Sequence, residues 1–506
     1  MAIGTLALTG LASTQPIPGD FVEVRFAQGQ SSGDSGAKKV LLIGPKLSTG
    51  TITADTEVGG PYGSADEISD VAGSGSIVHR MASKFFEIAG AGAGVFEVYI
   101  LCPTEGAGTA ATNDITYATT PTGAGVATCT VAGVTYAYSY TASDTVTTIA
   151  AGLVVAINND PIVPVVASNV AGVLTLTAKI KGPEGNTIRA FGSTKAGTAV
   201  TASPTASTAP TNGATPQVYT TALATILGQK FHYIVPHAVD STALAALKTQ
   251  LNTQALPATG FQQVAINGQC ATASAADTLA ANSLNHERMH IYNLESSEVE
   301  CYVVGAAIAA CRVLQETSDP SFNFDGYGVK NGTSLPIPAP TLKADWFTST
   351  EYATMLNSGV SPIGVLDGKP FIVRSVTTRC KNGSNYDYRV RDTVRVCVAD
   401  RLAADWNIRV STAGYSKLTA DPANQGPEPD ASFATPRRVK AIAEQLVSDY
   451  CDAGYLDPAK KTTMVGSIAC AIDTNNASAV NVRIPIFVAN MLHQTRTLVA
   501  ESSPAV

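Results

Sequence analysis

Apolar and polar positions along this chain follow two periods. Strict alternation marks Phe21 to Phe26, where Val22, Val24 and Phe26 share one face and Glu23 and Arg25 the other. Continuous apolar runs closed by a breaker mark residues 39–44 and 95–101, the pattern of strands buried on both faces. Helical spacing marks residues 64–71 and 77–89, and in the second Met81, Phe85 and Ile88 fall on one side. The same alternation of types resumes further on. Residues 231–235, 262–267 and 289–294 read as strands, and 241–251, 273–284 and 299–314 as helices. Strand–helix–strand steps in series predict a parallel or mixed sheet.

Between these two α/β stretches the pattern changes. From Pro103 to Pro216 the chain is rich in Ala, Thr, Gly and Val, with short alternating runs at 127–131, 135–140 and 173–178. One helix is expected at 144–157, with Asp144 as its cap. Residues 195–217, a Thr/Ala/Pro stretch, read as a linker. In the last third, 350–357 reads as a helix closed by Gly359, and Asp367-Gly368 as a hairpin turn between 364–367 and 370–377. Residues 388–406 read as a helix, and 423–432 as a loop. Thr435-Pro436 supplies the cap and first residue of a helix running to Cys451. Strands are expected at 481–489 and 495–500.

The expected fold is therefore α/β, with a core split by a β-rich insertion and extended strand arms at both ends. The expected segments are an arm and glycine-serine linker at 1–36, core at 37–102, insertion and linker at 103–216, and core at 217–340. A C-terminal domain at 341–480 and terminal strands at 481–506 complete the chain.

Composition narrows the function. Charged residues are only 14% of 506, and the net charge is −7, so no basic footprint for nucleic acid is expected. Every long apolar run is cut by Gly, Pro or charge, and residues 1–10 lack a basic start and apolar stretch. Neither a membrane span nor a signal peptide is expected. Nine cysteines carry no CxxC spacing, so they read as reduced, mostly buried thiols.

His286-Glu287-Arg288-Met289-His290 matches HExxH, in which two helical histidines bind zinc and the glutamate is general base. Here the run continues as a strand-like Ile291 to Leu294, so the match reads as coincidence. Gly33-Asp34-Ser35-Gly36 and Gly29 to Gly33 resemble nucleophile loops, but no His precedes the first and no helix follows the second. No catalytic residue, cofactor or metal is assigned.

Several stretches, in order, resemble contractile phage tail sheath proteins, the Mu-like myovirus branch in particular. They are Pro18 to Val24, Lys39 to Gly44, Gly63 to Ile68, Gly73 to Ser76, Leu356 to Ile363, Ile372 to Thr378 and Arg391-Asp392. Residues 109–190, including Val131 to Tyr140 and Gly182 to Asn186, are similar to small inserted domains of phage tail proteins. The resemblance implies a non-enzymatic subunit that polymerises helically as stacked rings around a tail tube. It implies partners in the tube, baseplate and tail terminator proteins, assembly in the bacterial host cytoplasm and residence in the virion tail. Arms donated between subunits are part of that picture. Phe21, Val22, Glu23, Val24, Arg25 and Phe26 would form the incoming strand. Val482, Ile484, Ile486 and Val488 would receive it, with Thr495, Thr497, Leu498 and Val499 as the outgoing arm. Arg437, Arg438 and Lys440, in a first helical turn where the helix dipole opposes them, are candidate tube contacts. The insertion would face away from the tube. Another tail structural component, or a zinc hydrolase using His286, Glu287 and His290, are the competing readings.

Overall fold

The computed structural model describes residues 37–90, 95–195, 198–330, 332–383, 385–422 and 430–493. The arm residues Phe21 to Phe26 and Thr495, Thr497, Leu498 and Val499 lie outside them. An eight-stranded sheet organises the α/β body. In spatial order its strands are Lys369–Ile372, Val360–Leu366, Met289–Asn293, Val264–Gln269, Tyr233–Pro236, Lys38–Ile43, Phe96–Leu101 and Val58–Tyr62. All neighbours are parallel except the two edge strands. Segments before and after residues 103–216 thus build one sheet.

The continuous apolar runs have a simple cause. Val40 and Leu42 face one side of the sheet and Leu41 and Ile43 the other, and all four are fully buried. Helices Ala65–Ala72, Ile77–Ala89 and Cys301–Ser318 cover the first side. Thr220–Thr225, Ser241–Gln254, Ala273–Thr278 and Ser349–Ser358 cover the second. The Cys301–Ser318 helix lies against the sheet so closely that a Cβ on Gly268 would stand 2.1 Å from the Cys301 carbonyl oxygen. Only glycine fits there.

Residues 110–203 form a four-stranded and a three-stranded sheet around the Val146–Asn158 helix, with their own apolar core. Thr145, not Asp144, caps that helix; the Asp144 carboxylate accepts the Thr141 N–H instead. The 195–217 stretch is not a free linker. Thr201–Ser203 pairs with the Ala110–Ala118 strand, and bridges at Thr208 and Thr211 continue the attachment. Ala202 and Val200 are buried, so a Thr/Ala composition that looks like a spacer still supplies an edge strand.

The C-terminal lobe packs helices Thr393–Thr412, Pro436–Asp452 and Lys461–Gly466 on a two-stranded sheet, Ala469–Ile472 and Val480–Arg483. The first helix begins at Thr393 rather than 388, because Asp387 turns the chain by accepting the Arg389 N–H and guanidinium. The hairpin turn is where expected: Asp367 (φ 49°) and Gly368 (φ 73°) are both left-handed, as a tight turn matching strand twist requires.

Candidate functional site

The terminal strand candidates divide at Arg483. Val482 pairs with Cys470 in the Val480–Arg483 strand, whose only partner among the described residues is Ala469–Ile472. The expected continuation to 489 does not form. Pro485 has no N–H to give a ladder, and the apolar side chains beyond Arg483 turn inward. Ile484 and Ile486 are buried in the lobe's core against Leu446, Leu456 and Met464, and Val488 makes a single bridge to Leu456. One short strand, not a four-residue receiving face, is thus available.

Arg437, Arg438 and Lys440 do sit in the first turn of the Pro436–Asp452 helix. The Arg438 guanidinium donates to the carbonyls of Asp430 (2.7 Å) and Phe433 (2.8 Å), and Lys440 meets Glu444 at 3.3 Å. The Arg437 N–H donates to the Asp421 carboxylate at 2.8 Å. Of the three, Lys440 has its carboxylate partner within the chain and Arg437 is the exposed one.

The HExxH match fails on geometry. His290 lies on a strand and His286 in the turn before it, so the two rings do not share a helical face. His286 Nε2 donates to Asn252 Oδ1 (2.7 Å) while its Nδ1 accepts the Arg288 N–H (3.0 Å). His290 Nε2 donates to the Glu287 carbonyl (3.1 Å) and its Nδ1 accepts from Arg312 (2.5 Å). Burial holds His286 down to about 4, and burial with the Arg312 charge holds His290 well below its usual range. Both imidazoles are neutral, and each ring nitrogen is already bonded. The Glu287 carboxylate takes Arg379 at 3.0 Å. Among the described residues no group of His, Cys, Asp and Glu is arranged to hold a metal.

Two buried polar centres were not anticipated. The first joins the sheet to the C-terminal lobe. Arg312 and Glu316, one turn apart on the Cys301–Ser318 helix, pair at 2.7 Å. Arg312 also donates to His290 and to Cys397 Sγ (3.3 Å) on the Thr393–Thr412 helix, while Tyr233 donates to Glu316 at 2.5 Å. Beside it Arg288 grips Asp400 with two bonds of 2.7 and 3.0 Å. An i, i+4 Arg/Glu pair in a helix whose other residues are all uncharged and mostly apolar was the available signal.

The second centre fills the crevice where the sheet order reverses. In open α/β sheets that crevice, at the carboxyl ends of the strands, is the usual ligand site. Here it lies between Ile43 and Pro236, and the insertion's own turn Pro183–Thr187 fills it. Glu184, 1% exposed, sits 3.9 Å from His237 Nε2. His237 also meets Gln217 Oε1 (3.0 Å) and the Tyr219 hydroxyl (2.7 Å), and Gln217 Nε2 donates to the Lys181 carbonyl (2.7 Å). Neither Glu184 oxygen meets a donor at hydrogen-bonding geometry among the described residues, although the nearby amides of Glu184 and Val239 favour its charged form against burial. Burial, helped by Asp240, pushes Glu184 up to about 7, and burial holds His237 down to about 3.

No protein-family model matches the chain, and no curated protein matches it. Among solved structures it is similar to the sheath tail protein of Desulfitobacterium hafniense, with a TM-score of 0.48 and 12% identity over 92% of this chain and 96% of that one. It is also similar to a sheath tail protein of Listeria innocua, with a TM-score of 0.45 and 12% identity over 92% of this chain and 94% of that one.

Proposed function

We propose that this chain is the structural subunit of a contractile phage tail sheath, of the Mu-like myovirus kind. It polymerises helically around a tail tube, bounded by baseplate and terminator proteins, and repacks to drive the tube through the host envelope. The work is done by assembly, without an active site, nucleic acid or membrane contact. Subunits are made in the host cytoplasm and end in the virion tail.

The observation that carries this reading is the two-stranded sheet of the C-terminal lobe. Each of its strands has a single neighbour among the described residues. A short open sheet is what an alternating segment such as Phe21 to Phe26 needs: main-chain groups supply affinity and Val22, Val24 and Phe26 supply register. The filled crevice supports the same reading, because the place where an α/β enzyme holds its substrate is occupied by Glu184 and its turn. A chain with its best ligand crevice closed by its own insertion is suited to transmitting force. Heterologous contacts that do not close generate the helical polymer, and bistable packing makes the transition all-or-none.

Deletion of residues 1–27 tests the reading. The truncated chain should remain folded and soluble but give no tubules by negative-stain electron microscopy, whereas the full chain gives tubules or stacked rings. Normal tubules from the truncated chain would refute the arm mechanism.

A further inference from the structure

We infer that the ribbon formed by residues 381–383 and 385–391 is a docking surface for the acidic helix Ala65–Ala72 of a second copy of this chain. The inference rests on the polymer reading above and names one of its contacts.

The ribbon is unusual for a surface. Its short strands are Lys381–Asn382 and Asn385–Tyr386, and Tyr386 at the end of the second stacks nearly parallel on Tyr388 just after it, with ring centres 6.0 Å apart and planes 4° apart. The rings are 64% and 49% exposed. Arg391 lies over the Tyr388 ring at 5.0 Å, and half of the Arg389 side chain is in solvent. Rigid exposed tyrosines with arginine are the composition of binding hot spots. The charge there is unbalanced: residues 374–392 hold five cationic side chains and two carboxylates, in a chain of net charge −7. Arg374 takes Asp392, and Arg389 with Arg379 takes Asp387. Arg391 and Lys381 are left with no carboxylate at ion-pair distance among the described residues, and Arg391 Nε has no acceptor.

The complement lies on the same chain. Asp66 and Asp70 are exposed one turn apart on the Ala65–Ala72 helix, and neither has a cation at ion-pair distance among the described residues. Like charges at that spacing repel and weaken the helix, so a cationic neighbour would relieve them. Within one molecule the two surfaces cannot meet. The ribbon hangs below the amino end of the Met289–Asn293 strand, where the Thr378 N–H bonds the Met289 carbonyl and Asn285 bonds Lys381. The acidic helix sits beyond the carboxyl end of the parallel Lys38–Ile43 strand, where Leu47 bonds the Ala72 carbonyl. Two strands of the sheet lie between them. Complementary patches at opposite corners of one subunit make a head-to-tail contact, which propagates rather than closes.

The test is a charge swap in the full chain, followed by sedimentation and electron microscopy. K381E with R389E should raise the concentration needed for polymer at least tenfold, and D66K with D70K should do the same. An equimolar mixture of the two variants should recover polymer, because each reversed ribbon then meets a reversed helix. Tyr386→Ser with Tyr388→Ser, at two exposed positions, should also weaken assembly while the subunit melts as the parent does. Parental assembly by the charge variants, or no recovery in the mixture, overturns the contact. If those variants polymerise while the 1–27 deletion does not, the polymer reading stands and only this contact falls. A parent that never polymerises removes both.

Discussion

The sheet body meets its two attachments through very different seams. Toward the C-terminal lobe, Arg312 is fully buried and fully engaged, by Glu316, His290 and Cys397. Toward the insertion, Glu184 is as deeply buried, yet among the described residues neither of its oxygens has a well-placed donor, and the imidazole standing 3.9 Å away, that of His237, is neutral. Burial alone is thus a poor guide to how a charge behaves. A satisfied ion pair fixes one geometry, because every displacement exposes an uncompensated charge. An unsatisfied carboxyl escapes its penalty by keeping its proton. The first seam is set by chain geometry at any ordinary pH, and the second by how much proton is available.

The largest effect should come from breaking the satisfied seam. Arg312→Met leaves Glu316 buried beside a thioether with its ion pair gone, and should cost about 3–5 kcal/mol in urea unfolding. Arg312→Met with Glu316→Leu should return most of that loss, since removing both charges removes the desolvation cost too. A single variant costing under about 1 kcal/mol would mean that the pair adds nothing to the seam.

The unsatisfied seam should respond to pH instead. A carboxyl raised from its ordinary value of 4.5 to about 7 contributes stability that is intact below about pH 4.5 and lost as pH rises to about 7. His237 works in the opposite sense. Held at about 3 against an ordinary 6.5, it costs stability as pH falls below about 6.5. Between about pH 4.5 and 6.5 the two slopes oppose, so the parent hides them both. Glu184→Gln removes one. Its stability relative to the parent should climb from about pH 4.5 to 7 and then level off, with a gain on the order of 3 kcal/mol. A difference that does not change with pH would show that Glu184 is ionised in the folded chain.

Much of the body could be read from the sequence because its causes are local. The runs at Lys39 to Ile43 and Met289 to Leu294, the Thr435-Pro436 start and the Asp367-Gly368 turn each carry their own instruction. The seams do not. Glu184 is one carboxylate in a charge-poor stretch, and nothing near it in sequence announces His237, which reaches it only because the strand order reverses between Ile43 and Pro236. The Thr201–Ser203 strand was missed for a related reason: its partner lies some eighty residues earlier, and its threonines look like a spacer until that edge is in place. At the other end, alternation at Val482, Ile484, Ile486 and Val488 suggested a long strand, but Pro485 stops the ladder and tertiary burial takes the side chains inward.

The smallest effect expected lies at a carboxylate intermediate between the two extremes. Glu298, 6% exposed, also spans the insertion seam: Oε2 accepts from Ser207 (2.7 Å), and Oε1 from the Thr341 N–H (3.1 Å) and hydroxyl (2.7 Å). Ser207 in turn accepts from Arg189 Nε at 3.1 Å, and its carbonyl takes the same guanidinium at 2.6 Å. Ser207→Ala removes one donor to Glu298 but leaves two, and leaves Arg189 its carbonyl. The cost should therefore be that of one charged hydrogen bond, about 1–2 kcal/mol, rather than that of a stranded charge. It should also be local. Residues 201–211 hold on by the short Thr201–Ser203 pairing and isolated bridges at Thr208 and Thr211, so amide exchange should accelerate there first while the eight-stranded sheet keeps its protection. Uniform acceleration across the sheet would instead mean that Ser207 and Glu298 tie the insertion to the body as one cooperative unit, and the insertion seam would then resemble the Arg312 seam after all.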